Sequence, residues 1–169
     1  NDEKIFKRVK KKFKKNKVQI IRNYDEIKKD TRQSITIAAI PGLDGLDPII
    51  KLIEYSEKIL IANKEAIVCG WNLIKKKALK NNTKLIPMDS EHYSILKLIE
   101  NYKLQEIKKI YITSSGGPFL NYKINQFKKI KPKDALKHPK WKMGKKVTID
   151  SSTLVNKILE LIEASINSK

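Results

Sequence analysis

The sequence has a single cysteine, no long apolar run and few acidic residues. Cys69 has no partner for an intramolecular disulfide, which fits a reducing compartment. Within AIVCGW we predict that it fills space in the core rather than acting as a nucleophile. The longest apolar runs, such as SITIAAIPGL, fall well short of the roughly 20 residues of a membrane-spanning helix, so no such helix is predicted. Residues 1–16 lack the apolar region of a secretory signal and an initiating Met, and we expect that the true start of the protein is missing.

The shortage of acidic residues leaves a strong positive charge. Lysine and arginine number 37 against 18 acidic residues, a formal net charge of +19. Such an excess suits a nucleic-acid-binding module, because Lys and Arg neutralise phosphates. Here the excess is nearly all lysine and is spread along the chain, which favours solvated faces instead. The one dense run, KRVKKKFKK, has Ile5, Phe6, Val9 and Phe13 at about helical spacing and predicts an amphipathic surface helix.

From residue 17 onward, short β-branched runs alternate with amphipathic segments. Strands are predicted at KVQIIR, SITIAAI, ILIA and KLIPM, and helices at YDEIKKDTR, LDPIIKLIEYSEK and KEAIVCGWNLIKKKALK. This alternation indicates parallel βαβ units and an α/β fold with a doubly wound sheet. We place a domain boundary near residues 88–90.

Three successive predicted strands end in turn-forming or polar residues. IPGLDGLDP follows the first of them, Asn63, Lys64 and Glu65 come where a helix begins, and DSEH follows KLIPM. Ligands of doubly wound sheets bind beyond the carboxyl ends of the strands. The sequence therefore favours one shared crevice at these three ends.

Asp89 and Glu91 can be interpreted in two ways. In extended backbone they point to the same side, and converging carboxylates repel unless they share a proton or bind a hard divalent cation such as magnesium or manganese. Alternatively, Asp89 or Ser90 caps the helix SEHYSILKLIE, and Glu91 in its first turn is favoured by the helix dipole. The segment alone leaves both readings open.

The last part of the chain predicts one more strand, EIKKIYITSS, and a final amphipathic helix, SSTLVNKILELIEASINSK. The apolar stripe of this helix includes Leu154, Ile158, Leu161 and Ile162, and Asp150 or Ser151 is its expected N-cap.

Near the start of that helix, Ser, Asn and Lys side chains suit a phosphate. Ser151, Ser152, Asn156 and Lys157 bring hydroxyl, amide and ammonium donors to the free backbone N–H groups of a helix N-terminus, and Glu160 shares a face with Asn156. The alternative is an ordinary exposed helix surface. SSGGPF, with Ser114 and Ser115, is either an anion-binding loop or a simple turn. HPKWKMGKK has the residues of a lid, although a lone His or Trp is more often structural.

Taken in order, ANKE, PMDSEH, SSGGPF and DALKHPKWKMGKKVTIDSSTLVNKILELIEA resemble the 1-deoxy-D-xylulose-5-phosphate reductoisomerase family. The resemblance covers residues 34–164 and is most specific over 133–163. It implies an NADPH-dependent and divalent-metal-dependent enzyme of non-mevalonate isoprenoid biosynthesis. Its reaction would convert 1-deoxy-D-xylulose 5-phosphate to 2-C-methyl-D-erythritol 4-phosphate. Residues 1–88 would then be the C-terminal part of a Rossmann-like NADPH-binding domain, and residues 89–169 the first part of an α/β catalytic domain.

The resemblance also implies residue roles. The metal ligands, for Mg, Mn or Co, match Asp89, Glu91 and Glu160. The catalytic residues match Lys64, Glu91 and His138. Residues implied to contact substrate are Lys64, Ser90, Glu91, Ser115, His138, Trp141, Ser151, Asn156, Lys157 and Glu160, with Ser115, Ser151, Asn156 and Lys157 at the phosphate. Residues implied to contact the cofactor are Asn63, Glu65, Met143 and Gly144, whereas His92 is expected to be structural.

The sequence departs from the family pattern in two ways. The Gly-rich nucleotide fingerprint and the family's C-terminal helical domain are absent, so we expect an internal fragment that is inactive alone. Ile158 stands where Gly is usual, and Ser152 where Ala is usual. For the longer protein the resemblance implies a homodimer with a phosphorylated sugar substrate, without nucleic-acid or membrane partners, in the cytoplasm or in a plastid-type organelle. A basic nucleic-acid-binding module and a noncatalytic phosphate-binding α/β domain stay as alternatives.

Overall fold

The chain folds around a small parallel sheet. A computed structural model describes residues 2–15, 17–23, 26–27 and 32–167. Three strands, β1 (Gln33–Ala38), β2 (Ser56–Ile61) and β3 (Lys84–Pro87), pair in parallel in the order β1-β2-β3. Ile37 lies opposite Leu60, and Leu60 lies opposite Ile86. The predicted α/β fold with a parallel, Rossmann-like sheet is confirmed.

Helices connect and follow these strands. The helices are α1 (Glu3–Lys12), α2 (Leu46–Ile53), α3 (Lys64–Lys80), α4 (Ser90–Ile99), α5 (Pro132–Ala135), α6 (Lys145–Ser152) and α7 (Val155–Asn167). The predicted amphipathic helix at the basic run corresponds to α1, which is capped by Asp2. Within the described part of the chain, no helix combines the length and the apolar character needed to cross a membrane.

The core lies between the sheet and the pair α2 and α3. Both helices are crossover connections between neighbouring parallel strands, and they pack against each other on one face of the sheet. Ile59 and Ile61 of β2 are buried there together with Ile53 and Ile74 of the helices. Alternate residues of a strand point to opposite faces, so Ile35 and Ile37 of β1 face away from these helices and are 60% and 65% exposed.

Replacement of Ile59 by alanine tests this core. The side chain is fully buried, so its loss leaves a cavity and should lower the free energy of unfolding by about 2–5 kcal/mol. Ile37→Ala, on the exposed face of β1, is the matched control and should change stability by about 0.5 kcal/mol or less. Urea unfolding followed by circular dichroism measures both. Equal losses for the two variants would contradict the assigned core face.

Two of the predicted strands are absent from the structure. Residues 17–23, which include KVQIIR, form no strand, and residues 107–117, which include most of EIKKIYITSS, are irregular. A strand needs a neighbour for its backbone hydrogen bonds, and neither segment pairs with another in the described part of the chain. The helix predicted at YDEIKKDTR lies largely outside the described residues.

The final helix begins later than predicted. VTIDSS belongs to α6, so Asp150 and Ser151 lie inside that helix and neither is an N-cap. The hydroxyl groups of Ser152 and Thr153 donate to the carbonyl of Ile149, which competes with continued helix. Leu154 follows with a left-handed φ of 62°, and α7 starts in a new direction.

The burial expected for two apolar sites was also wrong. Leu154, Ile158, Leu161 and Ile162 are 40–55% exposed, whereas the buried side of α7 carries Glu160 and Glu163. Cys69 is exposed rather than part of the core. The apolar periodicity therefore identified a helix but pointed to the wrong face.

Candidate active site

Two helices that carry site residues, α3 and α4, begin just after the ends of β2 and β3. Asn63 caps α3 by accepting a hydrogen bond from the backbone N–H of Ala66 at 2.8 Å. Lys64 is the first residue of α3 and therefore leaves the carboxyl edge of the sheet directly. Asp89 caps α4 and accepts from the backbone N–H of Glu91 at 3.3 Å. The capping interpretation of Asp89 is confirmed.

The capping role does not exclude a cation site. Asp89, Glu91 and Glu160 each offer a carboxylate oxygen, and these oxygens all lie within 4.8 Å of one another. Two of the three come from the start of α4 and the third from the middle of α7. Asp89 and Glu91 converge through the turn at the helix start and not through extended backbone as predicted. The helix-capping interpretation and the cation-site interpretation are therefore compatible for Asp89 and Glu91.

Two lysines neutralise part of this cluster. Lys64 Nζ lies 2.5 Å from Asp89 and 2.9 Å from Glu160, and Lys157 Nζ lies 2.9 Å from Glu91 and 2.5 Å from Glu160. For both lysines burial favours the neutral form, but the hydrogen bonds that their ammonium groups donate to the carboxylates outweigh it and raise the pKa. Both side chains are therefore held as ammonium groups.

The carboxylates differ in their proton affinity. Burial raises the pKa of Asp89 above its usual value, and the contact with Lys64 only partly offsets this rise. Burial acts the same way on Glu91, but hydrogen bonds from Ser90 and Lys157 lower its pKa to about 2. Converging carboxylates with divergent proton affinities are a common feature of functional sites.

A buried histidine holds α4 against α7. His92 Nε2 donates to the backbone carbonyl of Glu160 at 2.8 Å, and Nδ1 lies 3.1 Å from the carboxylate of Glu163. Burial opposes protonation of this ring, but the Glu163 contact outweighs it and raises the pKa of His92. His92 thus holds the backbone of α7 at Glu160 in place, which is a structural role, as expected for this histidine.

The carboxylates form one wall of a cleft of about 730 Å³. Most of the site residues predicted from sequence line it: Lys64, Asp89, Ser90, Glu91, Ser115, His138, Trp141, Met143, Ser151, Asn156, Lys157 and Glu160. They come from α3, α4, α6, α7 and the irregular segments at 107–117 and 138–144. Of the three strand ends predicted to share one crevice, those of β2 and β3 contribute residues to this cleft, whereas the segment IPGLDGLDP after β1 does not line it.

The cleft is also lined by a serine and histidine pair, Ser115 and His138. His138 Nδ1 accepts from the backbone N–H of Trp141 at 2.9 Å, so the ring proton lies on Nε2 and points to Ser115 Oγ at 3.0 Å. The backbone N–H of Gly117 also donates to Ser115 Oγ, at 3.3 Å. With both contacts directed at the oxygen, the hydroxyl hydrogen of Ser115 is left to donate to a ligand in the cleft.

Gly117 brings this serine loop to the end of α6. Its φ is 68°, a left-handed value that glycine adopts without strain. A Cβ atom there would lie 2.8 Å from the carbonyl oxygen of Ser151, closer than packing allows. Gly117 of SSGGPF is thus required by this close approach, which places Ser115 and Ser151 on the same cleft.

The predicted cofactor contacts are only partly at the cleft. Met143 lines it, whereas Asn63, Glu65 and Gly144 do not. Asn63 is buried and donates to the carbonyls of Ile40 and Gly42, which fixes the loop after β1. Glu65 pairs with Lys146 at 2.6 Å, and Gly144 precedes α6. Their assignment to a cofactor stays a prediction.

Sequence reasoning missed several residues of the site. Thr113, Lys140, Lys142, Val147 and Leu154 also line the cleft. Lys140 and Lys142 lie in HPKWKMGKK and Leu154 lies in the apolar stripe, but the sequence assigned none of the five to the site. Glu163 was missed although a signal existed. It follows Glu160 by three residues, which places it on the same face of α7.

Two family models match the chain. The model described as 1-deoxy-D-xylulose 5-phosphate reductoisomerase matches residues 1–70, and the model of the C-terminal domain of the same enzyme matches residues 85–167. Together they span most of the chain. The chain belongs to the 1-deoxy-D-xylulose 5-phosphate reductoisomerase family.

Individual members of the family agree with this assignment. The reductoisomerase of Pelagibacter ubique (strain HTCC1062) is 51% identical over 152 residues, which cover 88% of this chain and 39% of the relative. A crystal structure of a reductoisomerase in complex with NADPH, fosmidomycin and magnesium superposes with a TM-score of 0.76 at 33% identity, covering 98% of this chain and 44% of that one. The enzyme from Zymomonas mobilis in complex with NADPH gives 0.74 at 29% identity, covering 98% and 43%.

The chain therefore spans about two fifths of the length of the reductoisomerases that it matches. Within that span the carboxylate cluster fits a divalent cation. Its donors are all oxygen atoms, which hard cations prefer. Glu160 Oε2 is buried without a well-oriented hydrogen bond, although Lys157 lies close to it. Such an atom is suited to a metal ion.

Proposed function

We propose that this chain carries the metal and substrate site of an NADPH-dependent reductoisomerase that converts 1-deoxy-D-xylulose 5-phosphate to 2-C-methyl-D-erythritol 4-phosphate. The observation that carries the proposal is the convergence of Asp89, Glu91 and Glu160 at one wall of a cleft lined by donor groups. Carboxylates from two separate helices meet there, and the ammonium groups of Lys64 and Lys157 leave one negative charge in the cluster, which favours a further cation. Membership of the reductoisomerase family supports the substrate assignment.

In this proposal Asp89, Glu91 and Glu160 hold a magnesium, manganese or cobalt ion. The bound ion would supply Lewis acidity toward the keto and hydroxyl oxygens of the sugar. Ser90 Oγ donates to Glu91 at 2.6 Å, and Asn156 donates to Glu160 at 2.6 Å. These hydrogen bonds orient the carboxylates before the ion binds.

The phosphate group of the substrate would lie at the wall formed by Ser115 and the start of α7. Ser115 and Ser151 offer hydroxyl groups, and Asn156 and Lys157 stand in the first turn of α7, where the helix dipole also favours an anion. Ser151 contributes from the end of α6 and not from a helix N-terminus as predicted. The assignment of these four residues to the phosphate stays a prediction.

His138 and Lys64 are the proposed proton-handling and orienting groups toward the sugar. Nε2 of His138 carries the ring proton at the edge of the cleft, and the ammonium of Lys64 lies beside the carboxylates. Trp141 is 65% exposed and lines the same cleft, which suits the proposed lid that covers bound substrate and excludes water. Met143 lines the cleft on this side and is the proposed neighbour of the NADPH nicotinamide.

A thermal shift assay tests the substrate and metal assignment together. With 1-deoxy-D-xylulose 5-phosphate and Mn²⁺ each at about 100 times its dissociation constant, Tm should rise by roughly 5–10 °C. Substrate without Mn²⁺ should give a much smaller rise, because the keto and hydroxyl oxygens then lack their cation. The measurement uses the 169-residue chain, with dye fluorescence or circular dichroism as the readout.

The alternatives give different results in the same assay. Protection by phosphate esters that is independent of Mn²⁺ would favour a noncatalytic phosphate-binding domain. Protection by duplex or single-stranded nucleic acid that falls steeply with salt would favour a nucleic-acid-binding module. Absence of any metal-dependent protection by the substrate would contradict the proposal.

We also propose that the longer protein is a homodimer located in the cytoplasm, without nucleic-acid or membrane partners. The relative named above is bacterial, which supports the cytoplasmic location, and the name of that enzyme supports a phosphorylated sugar as substrate. The 169-residue chain by itself is expected to show no NADPH oxidation with substrate and manganese.

A further inference from the structure

Two ammonium groups, those of Lys64 and Lys157, already contact the three carboxylates that a divalent cation would bind. Lys64 contacts Oε1 of Glu160 at 2.9 Å and Lys157 contacts Oε2 at 2.5 Å, so both oxygens of Glu160 carry a lysine. The other two carboxylates, Asp89 and Glu91, carry one lysine each. A cation that takes one oxygen from each residue therefore meets an ammonium at every ligand.

Charge makes simultaneous occupancy unfavourable. Three carboxylates and two ammonium groups sum to one negative charge, and a divalent cation added to them would leave the cluster positive. Glu160 is fully buried and the lysine side chains are only 13% and 16% exposed, so solvent screens this repulsion weakly. Displacement of an ammonium restores the balance.

A displaced ammonium group of Lys157 can bind the phosphate elsewhere in the cleft. Lys157 and Asn156 are two of the four residues assigned to the phosphate, yet their donors are directed at carboxylates. Lys157 Nζ contacts Glu91 and Glu160, and Asn156 Nδ2 donates to Glu160 at 2.6 Å. An anion that enters the cleft thus competes with Glu91 and Glu160 for the same donors.

We propose that a divalent cation displaces Lys157 from Glu91 and Glu160 and so releases its ammonium for the phosphate of the substrate. The inference rests on the proposed function and adds a coupling between its two ligands. Because binding free energies are reciprocal, the cation should strengthen anion binding and the anion should strengthen cation binding by the same factor. Lys157 then sets the affinity for metal as well as for phosphate.

Mn²⁺ titrations of the 169-residue chain, with free Mn²⁺ measured by electron paramagnetic resonance, test this coupling. Inorganic phosphate is the anion probe, and a protein-free titration corrects for Mn²⁺–phosphate complexes. For the unmodified chain, saturating phosphate should tighten Mn²⁺ binding by about fivefold or more. Lys157→Met should tighten Mn²⁺ binding without phosphate by a similar factor, and phosphate should no longer change it.

Two further variants separate exchange from general charge effects. Lys142→Met removes a lysine that lines the same cleft but makes no ion pair with a described residue, and it should leave Mn²⁺ affinity within about twofold of the unmodified chain. Lys157→Arg keeps the charge and should keep the weaker Mn²⁺ binding. Circular dichroism confirms that each variant is folded.

The outcomes discriminate the inference from the proposed function. Unchanged or weaker Mn²⁺ binding by Lys157→Met, or equal tightening by Lys142→Met, would overturn the exchange while leaving the metal site in place. Mn²⁺ binding that depends on Glu160 but is insensitive to phosphate would do the same. If the unmodified chain binds no Mn²⁺, the metal site itself fails and the exchange fails with it.

Discussion

Replacement of Glu160 by glutamine is expected to weaken Mn²⁺ binding by about 100-fold or more. Loss of a residue that hydrogen-bonds to a metal ligand typically lowers metal affinity by roughly 10–100-fold, and loss of the ligand itself should lower it further. Glu160 is fully buried and lies between Lys64 and Lys157, where each of its oxygens contacts an ammonium group. Glutamine keeps the shape of the side chain and removes the charge. Isothermal titration calorimetry of the 169-residue chain with Mn²⁺ gives the comparison.

Glu100→Gln is the matched control for this prediction. Glu100 is a surface residue on the C-terminal side of α4, paired with Lys97 at 2.7 Å, so the substitution makes the same change in net charge away from the cleft. It should leave Mn²⁺ affinity unchanged. If Glu160→Gln bound Mn²⁺ as tightly as this control, Glu160 would not be a ligand. In a full-length protein, unchanged turnover at saturating metal would lead to the same conclusion.

Most of the site was predictable because its residues follow local rules. Lys64 and Asp89 come directly after strands, and the carboxyl ends of parallel strands share one edge of the sheet. Alternation of β-branched runs with amphipathic segments was sufficient to locate β1, β2 and β3. These motifs, together with SSGGPF and the final helix, indicated the reductoisomerase family. The resemblance to that family then indicated Ser115, His138 and Glu160 as site residues.

What could not be predicted depends on contacts between distant segments. EIKKIYITSS has the composition of a strand, but strand formation requires a neighbour and the described sheet ends at β3. The break at Leu154 depends on hydroxyl groups of Ser152 and Thr153 that compete with helix, and such residues also occur inside uninterrupted helices. Periodicity alone cannot choose between a final helix that starts at Ser151 and one that starts at Val155.

The final helix shows the limit of the hydrophobic pattern itself. Its apolar stripe is exposed, and its buried face carries Glu160 and Glu163 because Lys64, Lys157 and His92 meet them there. Burial of charge is favourable only when opposite charge arrives from other elements. The partners Lys64 and His92 are 96 and 68 residues away from Glu160 in sequence, so the local pattern of α7 gave no sign of them.

Disruption of the buried pair His92 and Glu163 should lower the stability of the chain. Glu163→Leu leaves the imidazole of His92 without its carboxylate at a position that is 6% exposed. Without Glu163, burial favours the neutral ring of His92. The cost is then that of a buried polar group that loses its partner, so the free energy of unfolding should fall by about 1–3 kcal/mol in urea denaturation. Glu100→Leu, which breaks an exposed pair with Lys97, should cost about 1 kcal/mol or less.

The double variant His92→Leu/Glu163→Leu decides whether the unpaired imidazole is the cause. With both side chains apolar, no buried imidazole is left without its carboxylate, and the double variant should be more stable than Glu163→Leu alone. Mn²⁺ affinity should nevertheless fall in the double variant, because the hydrogen bond from His92 to the carbonyl of Glu160 at 2.8 Å is lost and α7 is no longer fixed against α4. Additive losses of stability from the two single substitutions would show that His92 and Glu163 do not act as a pair.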